Sequence, residues 1–164
     1  MKLPPYPLQA VEDQRRRSRD AAQRVLGERL AGLAAAEERL ETAREGRRTL
    51  AAEHAAARED LYRPAVGGGL DVGRVHERRR GLDFLARRIE RQEAEVERRA
   101  GEVGEAEEDV AAARRRLTAA AQELSAIEKH RARWRKEIET EGRRREEKLM
   151  DEISTASYAR GARG

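Results

Sequence analysis

The chain has 164 residues, of which 41% are charged and only 3% are aromatic. With one tryptophan and one phenylalanine it cannot build the thick core of a compact globule, so long helices or a coiled coil are favoured, and disorder is the alternative. The net charge of +4 is small beside 36 basic and 32 acidic side chains. Arginine and glutamate are interleaved, whereas a nucleic-acid binder gathers its basic residues on one face. We therefore expect no nucleic-acid partner.

The absence of cysteine excludes disulfides, thiol catalysis and zinc–cysteine sites. The first ten residues, MKLPPYPLQA, carry three prolines where a signal peptide needs an apolar helical run. No apolar stretch approaches the roughly 18 residues that cross a bilayer. We expect a soluble, cytoplasmic chain with no insertion into a membrane.

The first predicted element is a helix over about residues 8–62. Pro7 stands where a helix can begin, and Pro64 stands where this helix must have ended. Apolar residues recur at intervals of seven in two adjacent rows, which is typical of a coiled coil. One row is Leu26, Leu33, Leu40 and, after two polar positions, Leu61; the other is Ala36, Ala43, Leu50 and Ala57.

A turn is predicted over residues 63–71, where Gly67, Gly68 and Gly69 follow Pro64 and Asp71 can cap the next helix. This order is typical of the turn between two antiparallel helices. The glycines do not form the G-x-G-x-x-G pattern, no strand precedes them and no Lys-Ser/Thr pair follows. A phosphate-binding loop is therefore not predicted.

The second predicted helix covers about residues 72–153 and is followed by a flexible tail, 154–164. A strict seven-residue period implies a left-handed supercoil with a partner helix. The repeating positions are Val75, Leu82, Ile89, Val96, Val103, Val110, Leu117 and Leu124, with Ile138 resuming the series after Arg131. A second row lies three or four residues further on, at Leu85, Gln92, Ala106, Ala113, Ala120, Ile127 and Trp134.

Folding the chain about Gly69 brings together residues whose numbers add up to about 139. Large residues then meet small ones, as Leu33 meets Ala106, and the polar Arg47 and Gln92 share a layer. The predicted fold is all-α: a single long antiparallel two-helix coiled-coil hairpin over residues 1–164.

The same register places Leu8 opposite residue 131, so the second helix continues about 20 residues beyond the first. This predicts an elongated molecule with an uncovered end. The apolar residues expected there without a partner in the same chain are Trp134, Ile138, Leu149, Met150 and Ile153.

No catalytic or metal-binding arrangement is found. His54, His76 and His130 are too scattered for a metal site, and Arg80 stands where a second histidine would complete H-E-x-x-H. The serines lack the base and acid that activate a nucleophile. We expect no enzymatic activity, no metal and no cofactor.

The residues predicted to bind a partner lie near the two termini. A lone tryptophan among cations has the composition of an interface anchor, and the alternatives are a seam position for Trp134 and a solvated helix face for the arginine run. The predicted set is Arg15, Arg16, Arg17, Arg19, Lys129, His130, Arg131, Arg133, Trp134, Arg135, Lys136 and Ile138.

The chain resembles the FliJ/YscO (SctO) family of stalk proteins in flagellar and injectisome type III secretion. The resemblance is carried by the stretch AIEKHRARWRKE…EEKLMDEI and by the order of five motifs along nearly the whole chain. These are Tyr6 with Leu8, Arg15 to Arg17, Gly67 to Gly69, Glu128 to Arg131 with Trp134, and Asp151 to Ile153. A departure is AVEDQRR at residues 10–16, where relatives carry more leucines.

The resemblance implies a shaft similar to the central stalk of rotary ATPases. Its joined termini would enter the pore of the hexameric export ATPase and promote its assembly and activity. It would also contact the cytoplasmic domain of the export gate and, in some members, secretion chaperones. The free protein would be a monomer, placed at the inner membrane through the secretion apparatus. The resemblance does not distinguish a flagellar from an injectisome system. The alternatives are a self-associating coiled-coil spacer and a nucleic-acid binder.

Overall fold

The computed structural model describes residues 4–64, 67–69 and 71–161. Two helices account for most of them: α1, Gln9–Glu59, and α2, Val72–Gly161. No strand occurs within the described ranges. The two helices pack against each other as an antiparallel hairpin, which confirms the predicted fold class. None of the helical segments that the structure describes has the length and apolarity needed to cross a membrane.

The connection between the helices contains three glycines in a backbone conformation that other residues rarely adopt. Gly67, Gly68 and Gly69 have φ values of 116°, 86° and 131°, which a side chain at Cβ would disfavour. Asp71 then caps α2, since its Oδ1 accepts the Gly73 N–H at 2.9 Å. The predicted helix cap is confirmed. Residues 65, 66 and 70 of the predicted turn lie outside the described residues.

Carbonyl groups of the turn that follows α1 are bonded by a side chain from α2. Arg78 Nη1 donates to the carbonyl oxygens of Asp60 at 2.5 Å, Arg63 at 3.0 Å and Leu61 at 3.4 Å. The end of a helix leaves such carbonyls without intrahelical partners, and a cation there also complements the helix dipole. Arg78 therefore holds the exit of α1 against the start of α2.

The chain divides into two compact units, each built from parts of both helices. We call Val25–Arg114 the turn unit, and Met1–Arg24 with Arg115–Gly164 the terminal unit. The buried residues of the turn unit are small or aliphatic and come from the predicted heptad rows: Ala36, Leu40, Ala43, Leu50, Leu61, Val110 and Ala113. This alternation of small and large residues lets two helices approach closely.

One layer of the turn unit is polar. Gln92 Nε2 donates to the Ala43 carbonyl at 3.0 Å, and a Cβ built on Gly46 would lie 3.1 Å from the same nitrogen. Arg47, the predicted layer partner of Gln92, instead pairs with Glu93 at 3.3 Å on the surface. Gly46 leaves room for the Gln92 amide, which a Cβ at this position would press against.

The C-terminal part of α2 is longer than predicted. Residues 154–161 continue the helix, where the sequence predicted a flexible tail. No proline interrupts this stretch, and alanine and arginine favour helix. The Thr155 and Ser157 hydroxyls bond to the Asp151 and Ser154 carbonyls within the helix, at 2.8 Å each. The predicted tail is wrong for residues 154–161, and 162–164 lie outside the described residues.

Candidate functional site

Tyr6 is the centre of the best-packed cluster in the terminal unit. It lies before α1 and is only 7% exposed. Its ring contacts the ring of Trp134, with centroids 5.3 Å apart, and its hydroxyl lies 2.8 Å from His130 Nδ1. The guanidinium of Arg131 stacks over the same ring at 5.6 Å. A phenol buried in this way satisfies both its apolar ring and its hydroxyl.

Glu12 is the buried charge that holds the other side of the cluster. It is fully buried, and its carboxylate accepts hydrogen bonds from Arg131 Nη1 at 2.8 Å and 3.0 Å. Arg16, one turn further along α1, donates to the same carboxylate. A buried carboxylate needs such partners, because leaving it unpaired costs several kcal/mol, on the order of 3–5. Glu12 was not among the predicted site residues.

One prediction for the terminal unit is corrected by these contacts. Trp134 was expected to have no partner in its own chain, but Tyr6 packs on it and leaves it half-buried. The predicted register places residue 6 opposite residue 133, but the expectation counted only the first helix as cover for the second. Tyr6, which precedes α1, supplies the contact. Arg131, which interrupts the heptad row, is matched by Glu12.

The arginine run at the start of α1 is mostly engaged within the chain. Arg15 pairs with Glu123 at 2.6 Å, Arg16 pairs with Glu12 and approaches Glu128 at 3.8 Å, and Arg19 pairs with Asp20 at 3.0 Å. Two of the four predicted cations of this run, Arg15 and Arg16, therefore reach carboxylates of α2, whereas Arg19 pairs within α1. Their exposed ion pairs are each worth little, about 0–1 kcal/mol.

The remaining predicted cations project into solvent. Five are exposed and make no ion pair with any residue that the structure describes; they are Arg17, Lys129, Arg133, Arg135 and Lys136. Lys129, Arg133 and Lys136 are spaced at i, i+4 and i+7, so they share one face of α2. Ile138, the last predicted site residue, is half-buried. The structure thus separates a half-buried set, Arg131, Trp134 and Ile138, from an exposed cationic set.

The C-terminal turns of α2 carry large apolar side chains in solvent. Leu149, Met150 and Ile153 are 57%, 64% and 61% exposed, as the sequence predicted for this end of the helix. Leu149 and Ile153 stand at i and i+4, so they form one apolar face. A protein with few apolar residues gains nothing from exposing three of them on adjacent turns, so this face is a candidate contact surface.

The described residues of the terminal unit include no group of side chains suited to a metal ion. No group of three His, Cys, Asp or Glu side chains in the described ranges could hold a metal ion. In the turn unit, hydrogen bonds from Arg98 and then Arg99 lower the pKa of Glu95 below its usual range. That effect belongs to a surface ion-pair group. The terminal unit offers cations, an aromatic cluster and an apolar helix face.

The fold defines a class of protein, the helical hairpins built from two long helices. A family model described as YscO-like protein matches residues 3–164, and the chain belongs to this YscO-like family. The family comprises stalk-like components of type III secretion in general. The chain is also similar to a solved structure of a candidate YscO homolog, CT670, from Chlamydia trachomatis. That likeness has a TM-score of 0.79 at 22% identity and covers 95% of this chain and 96% of that one. No curated protein matches the chain.

Proposed function

We propose that the chain is the central stalk of a type III export apparatus, whose terminal unit docks in the hexameric export ATPase and promotes its activity. In this role it would be peripheral to the inner membrane, would meet the cytoplasmic domain of the export gate and would contact secretion chaperones. The membership of the YscO-like family over residues 3–164 supports the general role. The terminal unit supplies a physical reason for the docking.

One observation carries the docking proposal: the exposed apolar face of Leu149, Met150 and Ile153 lies on the same helix as the exposed cations Arg133 and Lys136. Apolar side chains bury well in a partner's pocket, whereas cations speed the encounter with an acidic rim and make it depend on salt. Trp134 is no longer the expected anchor, because Tyr6 already covers part of it. Its role is to support the helix that presents this surface.

The test measures ATP hydrolysis by the purified export ATPase of the same organism as the chain is added. Leu149→Ala combined with Ile153→Ala is expected to raise the concentration of the chain needed for half-maximal stimulation by about ten-fold or more, since each buried apolar side chain contributes on the order of 1 kcal/mol. Arg133→Glu combined with Lys136→Glu is expected to slow association and to reduce the salt dependence.

The matched control is Arg115→Glu combined with Arg116→Glu, which makes the same charge change on two other exposed arginines of α2. It should leave the stimulation within about two-fold of the unmodified chain. Equal stimulation by the apolar double variant and the unmodified chain would show that this face does not dock. Light scattering then tests the alternative, a spacer that self-associates, by the mass of the free chain.

A further inference from the structure

The only phenylalanine of the chain lies on the outside of the turn unit. Phe84 is 58% exposed, although half-buried seam positions stand next to it at Leu82 and Leu85. A chain so poor in aromatic residues would gain more stability by placing this ring in the seam. The position of Phe84 is therefore not explained by the stability of the hairpin.

Four arginines surround this ring on the same face of α2. Arg80, Arg87, Arg88 and Arg91 are spaced at −4, +3, +4 and +7 from Phe84, so all four lie beside it. All are exposed, and none pairs with an acidic residue among those that the structure describes. Arg88 alone has a partner, the ring itself, at 5.8 Å from its centroid. We call these five residues the Phe84 face.

Most other surface arginines of the turn unit meet carboxylates. Arg29 pairs with Asp109 at 2.9 Å, and Arg98 pairs with Glu95 at 2.6 Å. The four arginines of the Phe84 face outnumber Asp83 and Glu90, the carboxylates between them in sequence, so the face carries a net positive charge that an acidic ligand would balance. The charge pattern of the face thus calls for a negatively charged partner.

The helix also leaves space beside the ring. Gly81 stands three residues before Phe84, and a Cβ built on it meets nothing within 4 Å. The ring of Phe84 therefore has no side chain from position 81 beside it, and this edge of the ring faces solvent. An apolar side chain of a partner could lie against the ring there, between Arg80 and Arg88.

We infer that the Phe84 face is a docking surface for an acidic, amphipathic protein segment, whose carboxylates pair with Arg80, Arg87 and Arg91 and whose apolar side chains pack on Phe84. This inference goes beyond the proposed function and does not depend on docking of the terminal unit.

The dimensions of the face favour a protein segment over a nucleic acid. From Arg80 to Arg91 the cations span about 17 Å along the helix, and the carboxylates of Asp83 and Glu90 lie within this span. A phosphate chain carries a charge at every step and would have to pass these two carboxylates. A protein segment can instead place single carboxylates opposite Arg80, Arg87 and Arg91. About three turns of an acidic helix match the length of the span.

The test uses a fluorescein-labelled synthetic peptide in which leucines recur at helical spacing and the other positions are mostly glutamate, with the full chain as its receptor. Fluorescence anisotropy at low salt should show saturable binding. Replacing the peptide's leucines by glutamine should weaken the affinity of the peptide for the chain by about five-fold or more, since an apolar contact with Phe84 is lost.

Variants of the chain separate the contributions. Phe84→Ala is expected to weaken peptide binding by about five-fold or more, and Arg87→Glu with Arg91→Glu by about ten-fold or more. The matched control, Arg58→Glu with Arg79→Glu, changes two exposed arginines of the same unit away from the ring, and should stay within about two-fold. Because all these side chains are exposed, circular dichroism should show unchanged helicity.

Three results would overturn the inference. One is the absence of saturable binding up to about 1 mM peptide, which is the weak end of specific recognition. Another is binding that Phe84→Ala leaves unchanged, which would reduce the face to non-specific charge attraction. The third is tighter binding of an oligothymidylate than of the peptide, lost in the same variants, which would identify a nucleic-acid site. The Phe84→Ala variant should stimulate the export ATPase as well as the unmodified chain does. A negative result with the peptide would therefore leave the proposed function untouched, and the reverse also holds.

Discussion

Tyr6 packs on Trp134, with the ring centroids 5.3 Å apart and the ring planes at 57°. This contact joins a residue before α1 to the α2 segment whose motif carries the family resemblance. Because Trp134 is the only tryptophan, its fluorescence reports on this one contact without labelling.

Tyr6→Ala is expected to shift the emission of Trp134 to longer wavelength and to increase its quenching by acrylamide, since the side chain that covers it is removed. The loss of a buried aromatic ring should lower the free energy of unfolding by about 2–4 kcal/mol. Tyr6→Phe keeps the ring but loses the hydroxyl contact with His130, so it should cost about 0.5–1.5 kcal/mol and leave the emission unchanged. Identical spectra for Tyr6→Ala and the unmodified chain would contradict the contact.

Glu12→Gln is expected to destabilise the hairpin by about 1.5–3 kcal/mol, because Arg131 then keeps a partly buried charge without its carboxylate partner. Glu123→Gln is the matched control. Its carboxylate pairs with Arg15 on the surface, with both side chains about half exposed, so removing that charge should cost less than about 1 kcal/mol. Urea unfolding followed by circular dichroism measures both values. Equal effects for the two variants would show that the burial of Glu12 does not matter.

The hairpin itself could be predicted because it depends on periodicity. Residues such as Leu40, Leu50 and Val110 are buried at positions that the seven-residue interval assigns to the seam, and a triple glycine with a following aspartate is sufficient to identify the turn. These patterns are local in sequence, so they can be recognised without knowing which distant residues come into contact.

The contacts that complete the terminal unit could not be predicted in the same way. Tyr6 precedes the helix, in a segment with three prolines, so it was not counted as part of the seam, although continuing the register places it opposite residue 133. Glu12 carried a signal that was missed: it lies one turn after Leu8, which the predicted register places opposite Arg131. An acidic residue at that point could have been matched with the cation that breaks the heptad row.

Two glycines inside the helices should respond in opposite ways to alanine. Gly101→Ala is expected to raise the free energy of unfolding by about 0.5–1 kcal/mol, because nothing lies within 4 Å of the added Cβ and alanine favours helix. Gly46→Ala places a Cβ 3.1 Å from Gln92 Nε2, which should displace the hydrogen bond from Gln92 to the Ala43 carbonyl. The Gly46→Ala variant should therefore be less stable than Gly101→Ala by at least about 1 kcal/mol. Thermal unfolding of both variants measures the difference. A Gly46→Ala variant as stable as Gly101→Ala would mean that Gln92 moves aside freely.

The exit of α1 depends on one guanidinium, and its removal should loosen that end locally. Arg78→Met keeps the apolar stem but loses the donors to the Asp60 and Arg63 carbonyls, and we expect a cost of about 1–2 kcal/mol. The stability of Arg78→Lys should lie between those of Arg78→Met and the unmodified chain, because an ammonium retains the charge without the planar arrangement of donors. Arg74→Met is the control, since Arg74 only approaches Asp71 on the surface at 3.6 Å. Hydrogen exchange should show faster opening of the last turn of α1 in Arg78→Met, with α1 around Leu40 unchanged. If exchange there matched that of Arg74→Met, the carbonyls would be satisfied equally well by water, and Arg78 would not hold the end of the helix.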